Sequence, residues 1–181
     1  MGGSELFENI EYLNSGTSKQ KKAYHVIQLL GIMDELAIYT PVLCGTIPLG
    51  IDLPQSDLDI IMYVKDFPLF ERKLLDQFSH HEKFRLKSTI MRNEKVIKAN
   101  FYYQGFEFEL FGQNKPVHEQ YAYLHMVIEH NLLVKNPKWK EKVIQLKKQG
   151  YKTEPAFCTL LNVSGDPYDQ LIEYGVLQGF I

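Results

Sequence analysis

The run Gly45-Thr46-Ile47-Pro48-Leu49-Gly50-Ile51-Asp52-Leu53-Pro54-Gln55-Ser56-Asp57-Leu58-Asp59-Ile60 constrains this chain more than any other segment, because it joins a glycine-bearing turn to two carboxylates two residues apart. Residues i and i+2 of a strand point to one face, so Asp57 and Asp59 project together while Leu58 and Ile60 turn into a core. Two anions at that separation repel unless a cation lies between them. Gly45 and Gly50 can take backbone angles closed to other residues and bring N–H groups close to an anion. Acids for a divalent ion beside a turn for phosphates suit a metal-bound nucleoside triphosphate. The Gly45 to Gly50 spacing also fits a P-loop, but Ile51-Asp52 stands where that loop needs Lys-Ser/Thr, so the P-loop reading fails and Asp52 reads as a turn former.

The flanking pattern sets the fold class. Apolar residues at helical spacing predict a helix over 5–13 and another over 19–36, the second with Ser18 as N-cap. Strands follow over 40–44 and 57–64, then a helix over 67–80 capped by Asp66. Strands over 84–92 and 95–103 are joined by Asn93-Glu94, and Gln104-Gly105 turns the chain into a strand over 106–111. Alternation in that last strand sends Glu107 and Glu109 to one face. Helices over 117–134, 137–149, 155–161 and 167–174 complete the chain. The order predicts an α+β fold in one domain of 181 residues: a mixed, largely antiparallel sheet over 40–113 with flanking helices, then a C-terminal helical cluster over 117–181.

The formal charge of −2 speaks against an extended nucleic-acid surface and favours a small polar substrate. Cys44 and Cys158 stand in no metal-ligand spacing and read as reduced, buried thiols, which points to the cytoplasm. Met1-Gly2-Gly3-Ser4-Glu5 lacks the features of a secretory leader, and no apolar run approaches a membrane span, so no membrane partner is expected. Leu6 stands where myristoylation of Gly2 would need Ser or Thr, and Gly2-Gly3-Ser4 equally fits a cloning remnant.

The same residues carry a resemblance. An apolar residue, Gly-Ser, a second Gly and then Ser-Asp-x-Asp between apolar residues form the signature of the nucleotidyltransferase superfamily of DNA polymerase beta. The chain resembles its small single-domain bacterial members through Cys44-Gly45-Thr46, with Thr for Ser, Gly50, and Ser56-Asp57-Leu58-Asp59-Ile60. That family takes a third carboxylate from a later strand of apolar, acidic, apolar pattern, and Glu107 and Glu109 both match it. The run from Gly45 onward also resembles a bacterial branch of the superfamily through Gly105-Phe106-Glu107-Phe108-Glu109-Leu110-Phe111-Gly112-Gln113, His125-Met126-Val127-Ile128-Glu129-His130 and Lys152-Thr153-Glu154-Pro155-Ala156, a likeness that names no substrate. The resemblance implies a nucleotidyltransferase-type sheet, Mg²⁺ or Mn²⁺, and transfer of an NMP group from an NTP to a hydroxyl of a small molecule or protein. It implies Asp57, Asp59 and Glu107 or Glu109 as catalytic and metal-holding residues, and Gly45, Thr46, Gly50 and Ser56 as nucleotide-holding ones. The chemistry agrees, since nucleotidyl transfer needs a divalent ion on the triphosphate and Mg²⁺ prefers carboxylate oxygens.

The turn departs from the family pattern in one respect. Ile47 and Leu49 stand where many active relatives place basic side chains, which leaves Lys65, Arg85, Lys87, Arg92, Lys95 and Lys98 as cations from neighbouring elements, each also explicable as a solvated charge. The departure keeps open an alternative, a catalytically inactive nucleotide- or protein-binding relative of regulatory or antitoxin-like kind. His125 and Glu129 share a helical face but lack a third ligand and read as structural, while His130 points elsewhere. Tyr121, Tyr123 and Trp139 read as core rather than base-stacking residues, and His80-His81 suits a helix C-terminus.

Overall fold

The structure, a computed structural model, describes residues 5–181, so the expectations at Gly2, Gly3 and Ser4 lie outside the described residues. Where the spacing predicts one helix over 5–13, two 3₁₀ turns form, Glu5–Phe7 and Glu11–Ser15. Asn9 Oδ1 accepts from Glu11 N between them, a local bond that competes with continuous helix. Helix α1 (Ser18–Leu30) is capped one residue earlier than predicted: Thr17 Oγ1 accepts from Gln20 N and the Gln20 side chain accepts from Thr17 N, a capping box. Gly31 in the left-handed conformation closes α1 short of residue 36, and α2 (Ile32–Glu35) restarts behind it.

Strand β1 (Val42–Cys44) leads into the one-turn helix α3 (Thr46–Leu49), and a loop returns the chain to β2 (Leu58–Tyr63). Helix α4 (Phe67–Phe78) is capped by Asp66 as the sequence indicates. Strands β3 (Glu82–Met91), β4 (Glu94–Tyr103) and β5 (Phe106–Gln113) then form a meander. The first hairpin turns at Arg92-Asn93, both at positive φ, one residue before the predicted Asn93-Glu94: Asn93 tolerates the left-handed region and Glu94 is already paired with Met91. The predicted helix over 117–134 is a 3₁₀ turn, Val117–Glu119, followed by α5 (Tyr121–Lys135). The Gln120 side chain, between them, donates to the carbonyls of Met62 and Lys115. Helices α6 (Trp139–Lys148), α7 (Thr153–Leu161) and α8 (Pro167–Leu177) complete the chain.

The sheet order is β1-β2-β5-β4-β3, with only the β2/β5 pair parallel, which makes the α+β, largely antiparallel plan explicit. Period-two alternation splits its side chains between two cores. On one face Leu58, Ile60, Phe101 and Phe108 pack with Ala23, Ile27, Phe70 and Leu74 from α1 and α4. The Phe101 ring stacks on Phe108 at 5.1 Å and on Phe78 at 5.3 Å, and each such burial contributes about 1.5–3 kcal/mol. On the other face Val42, Cys44 and Ile61 meet Met126, Ile128, Val143, Phe157 and Leu171 from α5 to α8. The C-terminal helices cover this second face over β1 and β2, whereas Lys98, Asn100, Glu107 and Glu109 on β4 and β5 line an open cleft. Cys44 and Cys158 are free and buried, and no described helix is long and apolar enough to cross a membrane.

Candidate functional site

The parallel β2/β5 pair places Asp59 in register with Glu109, at the margin where the C-terminal helices give way to the open strands. Asp57, just before β2, joins them: one oxygen from each of Asp57, Asp59 and Glu109 lies within 4.8 Å of the others. Glu107 opens into the same cleft but is held differently. Its carboxylate accepts from Tyr102 Oη at 2.8 Å and Arg85 Nη2 at 3.0 Å, while Asn100 Nδ2 lies 3.4 Å from both acids. The geometry therefore separates two acids that the sequence leaves equivalent. Glu109 closes the trio, with Lys98 paired to it from β4, and Glu107 is tied into the cleft wall.

Burial, reinforced by the charges of Asp57 and Glu109 and opposed by Lys98, pushes the Asp59 carboxyl up to about 8. Asp57 is raised in the same sense, by burial first and then by Glu109 and Glu107, against a backbone hydrogen bond that favours its charged form. Carboxylates crowded in this way are the environment a divalent cation reverses. Three carboxylate oxygens are also the hard donors that Mg²⁺ and Mn²⁺ take, so the residues present fit such an ion.

The turn is built around the close approach of Asp59. Gly45 sits at φ 81°, and a Cβ there would run into Asp59 Oδ2, so glycine is required both for the angle and for the space. Gly45→Ala is expected to cost about 1–3 kcal/mol of stability in denaturant titrations and to weaken Mg²⁺-dependent nucleotide binding, because either the turn or Asp59 must move. Unchanged values for both would remove Gly45 from the site. Thr46 Oγ1 and Ser56 Oγ lie 3.2 Å apart, and Ser56 Oγ accepts from Leu53 N at 2.9 Å, so these two hydroxyls pin the ends of the loop together.

Ile47 and Leu49 are buried, which is why that short helix carries no cations. The cations come from residues that sequence reasoning missed. Lys140 of α6 places its Nζ 2.8 Å from where a Gly50 Cβ would lie. Lys19 Nζ donates to Leu53 O at 2.6 Å and Lys147 Nζ to Ile51 O at 2.8 Å. Gln20 Nε2 adds bonds to the carbonyls of Ile47 and Pro48. No spacing in the sequence links helices α1 and α6 to this loop, and only the packing does. Asp52 sits 3.6 Å from Lys19 within the same strap.

The remaining candidates divide cleanly. Arg85, Lys87 and Lys98 line a cleft of about 650 Å³ together with Asp57 and Glu109. Arg92 lies over Tyr121 and pairs with Asp169, Lys95 lies over Phe67 and Lys65 over Tyr63, none of them on that cleft. His125 is buried, its Nε2 2.8 Å from Tyr168 O and its Nδ1 3.4 Å from Glu154 Oε1. Glu129 is buried and raised well above the carboxylate range by that burial, with the Glu154 charge adding and Lys147 opposing. Tyr123 is buried, Trp139 packs against the second core, His130 meets Phe7 edge-on and His81 stacks on Phe101.

A family model described as a domain of unknown function, DUF4269, matches residues 25–174. No curated protein matches the chain. Solved structures do, and those here belong to the polymerase beta-like nucleotidyltransferases. A structure of Cid1 described by its RNA terminal uridylyl transferase activity is 14% identical at a TM-score of 0.54, covering 76% of this chain and 44% of that one. The GLD-2/RNP-8 complex is 15% identical at 0.52, covering 82% and 59%. The polymerase core of TRAMP, an RNA surveillance complex, is 11% identical at 0.51, covering 93% and 55%. The likeness is one of fold, and the chain spans about half the length of the chains it matches.

Proposed function

The chain belongs to the DUF4269 family and has the fold of the polymerase beta-like nucleotidyltransferases, and on that premise we propose that it is a metal-dependent nucleotidyltransferase, moving an NMP group from an NTP to a hydroxyl of a small molecule or protein. The observation that carries the reading is the trio of Asp57, Asp59 and Glu109 beside the Gly45 turn. Asp57, Asp59 and Glu109 would hold Mg²⁺ or Mn²⁺, which supplies neutralisation of the triphosphate and a lowered pKa at the acceptor hydroxyl. In this reading Gly45 N–H and the Thr46 hydroxyl would bind phosphate oxygens, the hydroxyl giving up its bond to Ser56, and Lys140 at Gly50 would bring the cation that Ile47 and Leu49 do not. In the transfer the acceptor oxygen bonds to the α-phosphorus, the α–β bridging bond breaks, pyrophosphate leaves, and the hydroxyl proton passes to a carboxylate of the cleft. The protein's part is positioning and charge neutralisation.

One observation favours the inactive, binding-only relative: Lys98 already pairs with Glu109. A panel of labelled NTPs, incubated with Mg²⁺ or Mn²⁺ and a library of hydroxyl compounds and proteins, tests both readings. Pyrophosphate release with an acceptor is the expected result. NTP binding without turnover across the panel supports the binder, and NTP binding that ignores the metal overturns the metal-dependent enzyme.

A further inference from the structure

Beyond the carboxylate trio, the cleft floor continues across β4 and β3, where Arg85, Lys87 and Lys98 stand among the acids and only Lys87 lacks an ion pair among the described residues. Arg85 and Lys87 alternate on β3 toward the cleft, and Lys87 stands directly opposite Lys98 of β4. Like charges facing across an antiparallel pair repel, yet Lys87 has no ion-pair partner among the described residues and Thr89 follows it on the same wall. Lys98 is paired with Glu109 and also feels the charges of Asp57 and Asp59, and the exposed Arg85 is paired with Glu107.

We propose that this patch seats an anionic group, a phosphomonoester or a carboxylate, on a small hydroxyl-bearing acceptor. The inference rests on the nucleotidyltransferase reading and adds to it the chemistry of the acceptor. The patch lies on the Glu109 side of the trio, across the cleft floor from β2, so an anchored compound presents its hydroxyl to the acids from the strand side. Asp57, Asp59 and Glu109 would hold a divalent ion, and Glu109 shared in that way would hold the Lys98 ammonium less tightly, leaving it beside Lys87 for an anion. Metal and acceptor therefore bind with positive and reciprocal coupling. A cleft of about 650 Å³ matches a small ligand. A single strand of nucleic acid needs a longer basic track with free aromatic platforms, whereas Tyr102 on this floor is bonded to Glu107 and lies under Lys83.

Amide resonances followed during titration with glycerol 3-phosphate, glycerate, neutral glycerol and a short oligouridylate test the proposal, with and without Mg²⁺, beside paramagnetic broadening by Mn²⁺. The expected result is that one or both anions, but not glycerol, shift Arg85, Lys87 and Lys98, and that Mg²⁺ tightens this binding about fivefold or more. Whether the phosphate or the carboxylate compound binds tighter identifies the anion. Lys87→Ala should weaken binding by a similar factor and Lys87→Arg restore it, with Mn²⁺ broadening near Asp57 and Asp59 unchanged in both. Mn²⁺ broadening at the trio with no anion at the patch overturns the acceptor seat and leaves the metal reading standing. Shifts confined to Gly45, Gly50 and Lys140 report the triphosphate seat and also overturn it, as does anion binding indifferent to Mg²⁺ or to Lys87→Ala. A short oligouridylate binding the patch more than about tenfold tighter than either compound assigns it to RNA instead. Absence of Mn²⁺ broadening at the trio brings down the nucleotidyltransferase reading and this inference with it.

Discussion

Asp59→Asn is expected to abolish nucleotidyl transfer, by about 10³-fold or more, while making the metal-free protein more stable above neutral pH. Both effects follow from one crowded carboxyl. In the folded chain burial, with the charges of Asp57 and Glu109 adding to it, pushes this carboxyl up to about 8, against about 3.9 for an ordinary aspartate. Between those two values the folded state holds a proton that the unfolded state has lost. Stability therefore falls as pH rises, with a slope of at most about 1.4 kcal/mol per pH unit, and is fully present only below the lower value. Asp57 is raised in the same direction and adds to the trend. The asparagine variant lacks this proton and should show a much flatter profile between pH 5 and pH 8. Mg²⁺ should reverse the wild-type loss by stabilising the ionised trio, and its binding at neutral pH should release protons, visible as a buffer-dependent heat. Thermal unfolding in chelator across that pH range, for wild type and variant, checks the sign. A wild-type profile as flat as the variant's would mean that Asp59 ionises freely and is not crowded in the way the packing indicates.

The elements that were legible in the sequence are those whose signal is local. Leu58, Asp59 and Ile60 alternate in β2 because apolar and polar residues alternate, with Asp57 just before the strand, and Asp66 caps α4 because its side chain reaches only three residues ahead. Gln104-Gly105 turns where it should because both residues adopt positive φ. The misplacements are local competitions settled by a neighbour: Thr17 rather than Ser18 caps α1 because Gln20 returns its bond, and Gln120 divides the predicted helix over 117–134 by reaching back to Met62. What was not legible is long-range. Lys19, Lys140 and Lys147 reach the loop at residues 50–56 through tertiary packing alone, so their spacing carries no trace of that role. The choice between Glu107 and Glu109 belongs to the same class. Both have the strand period, and only the pairing of β5 with β2 on one side and β4 on the other tells them apart.

That difference sets the second large effect. Glu109→Gln is expected to reduce the transfer rate by about 10²- to 10³-fold with NTP affinity nearly kept, and Glu107→Gln by less than about tenfold. Glu109 is in register with Asp59 and shares the trio, so its glutamine variant would offer the metal and the acceptor hydroxyl only a neutral, weakly basic oxygen, while Asp57 and Asp59 would still hold the triphosphate metal. Glu107 faces Tyr102, Arg85 and Asn100, and its glutamine variant retains an acceptor oxygen for the tyrosine hydroxyl. Its loss therefore loosens the cleft wall without removing a donor from the trio. Lys98 provides an internal control, since Glu109→Gln leaves its ammonium without the carboxylate that holds it, and Glu107→Gln does not. Separate measurement of NTP affinity and single-turnover rate for the two variants reads the distinction directly. A larger rate loss in Glu107→Gln than in Glu109→Gln would move the reacting centre one step along β5, toward Tyr102 and Arg85, and the metal would then have to be sought there.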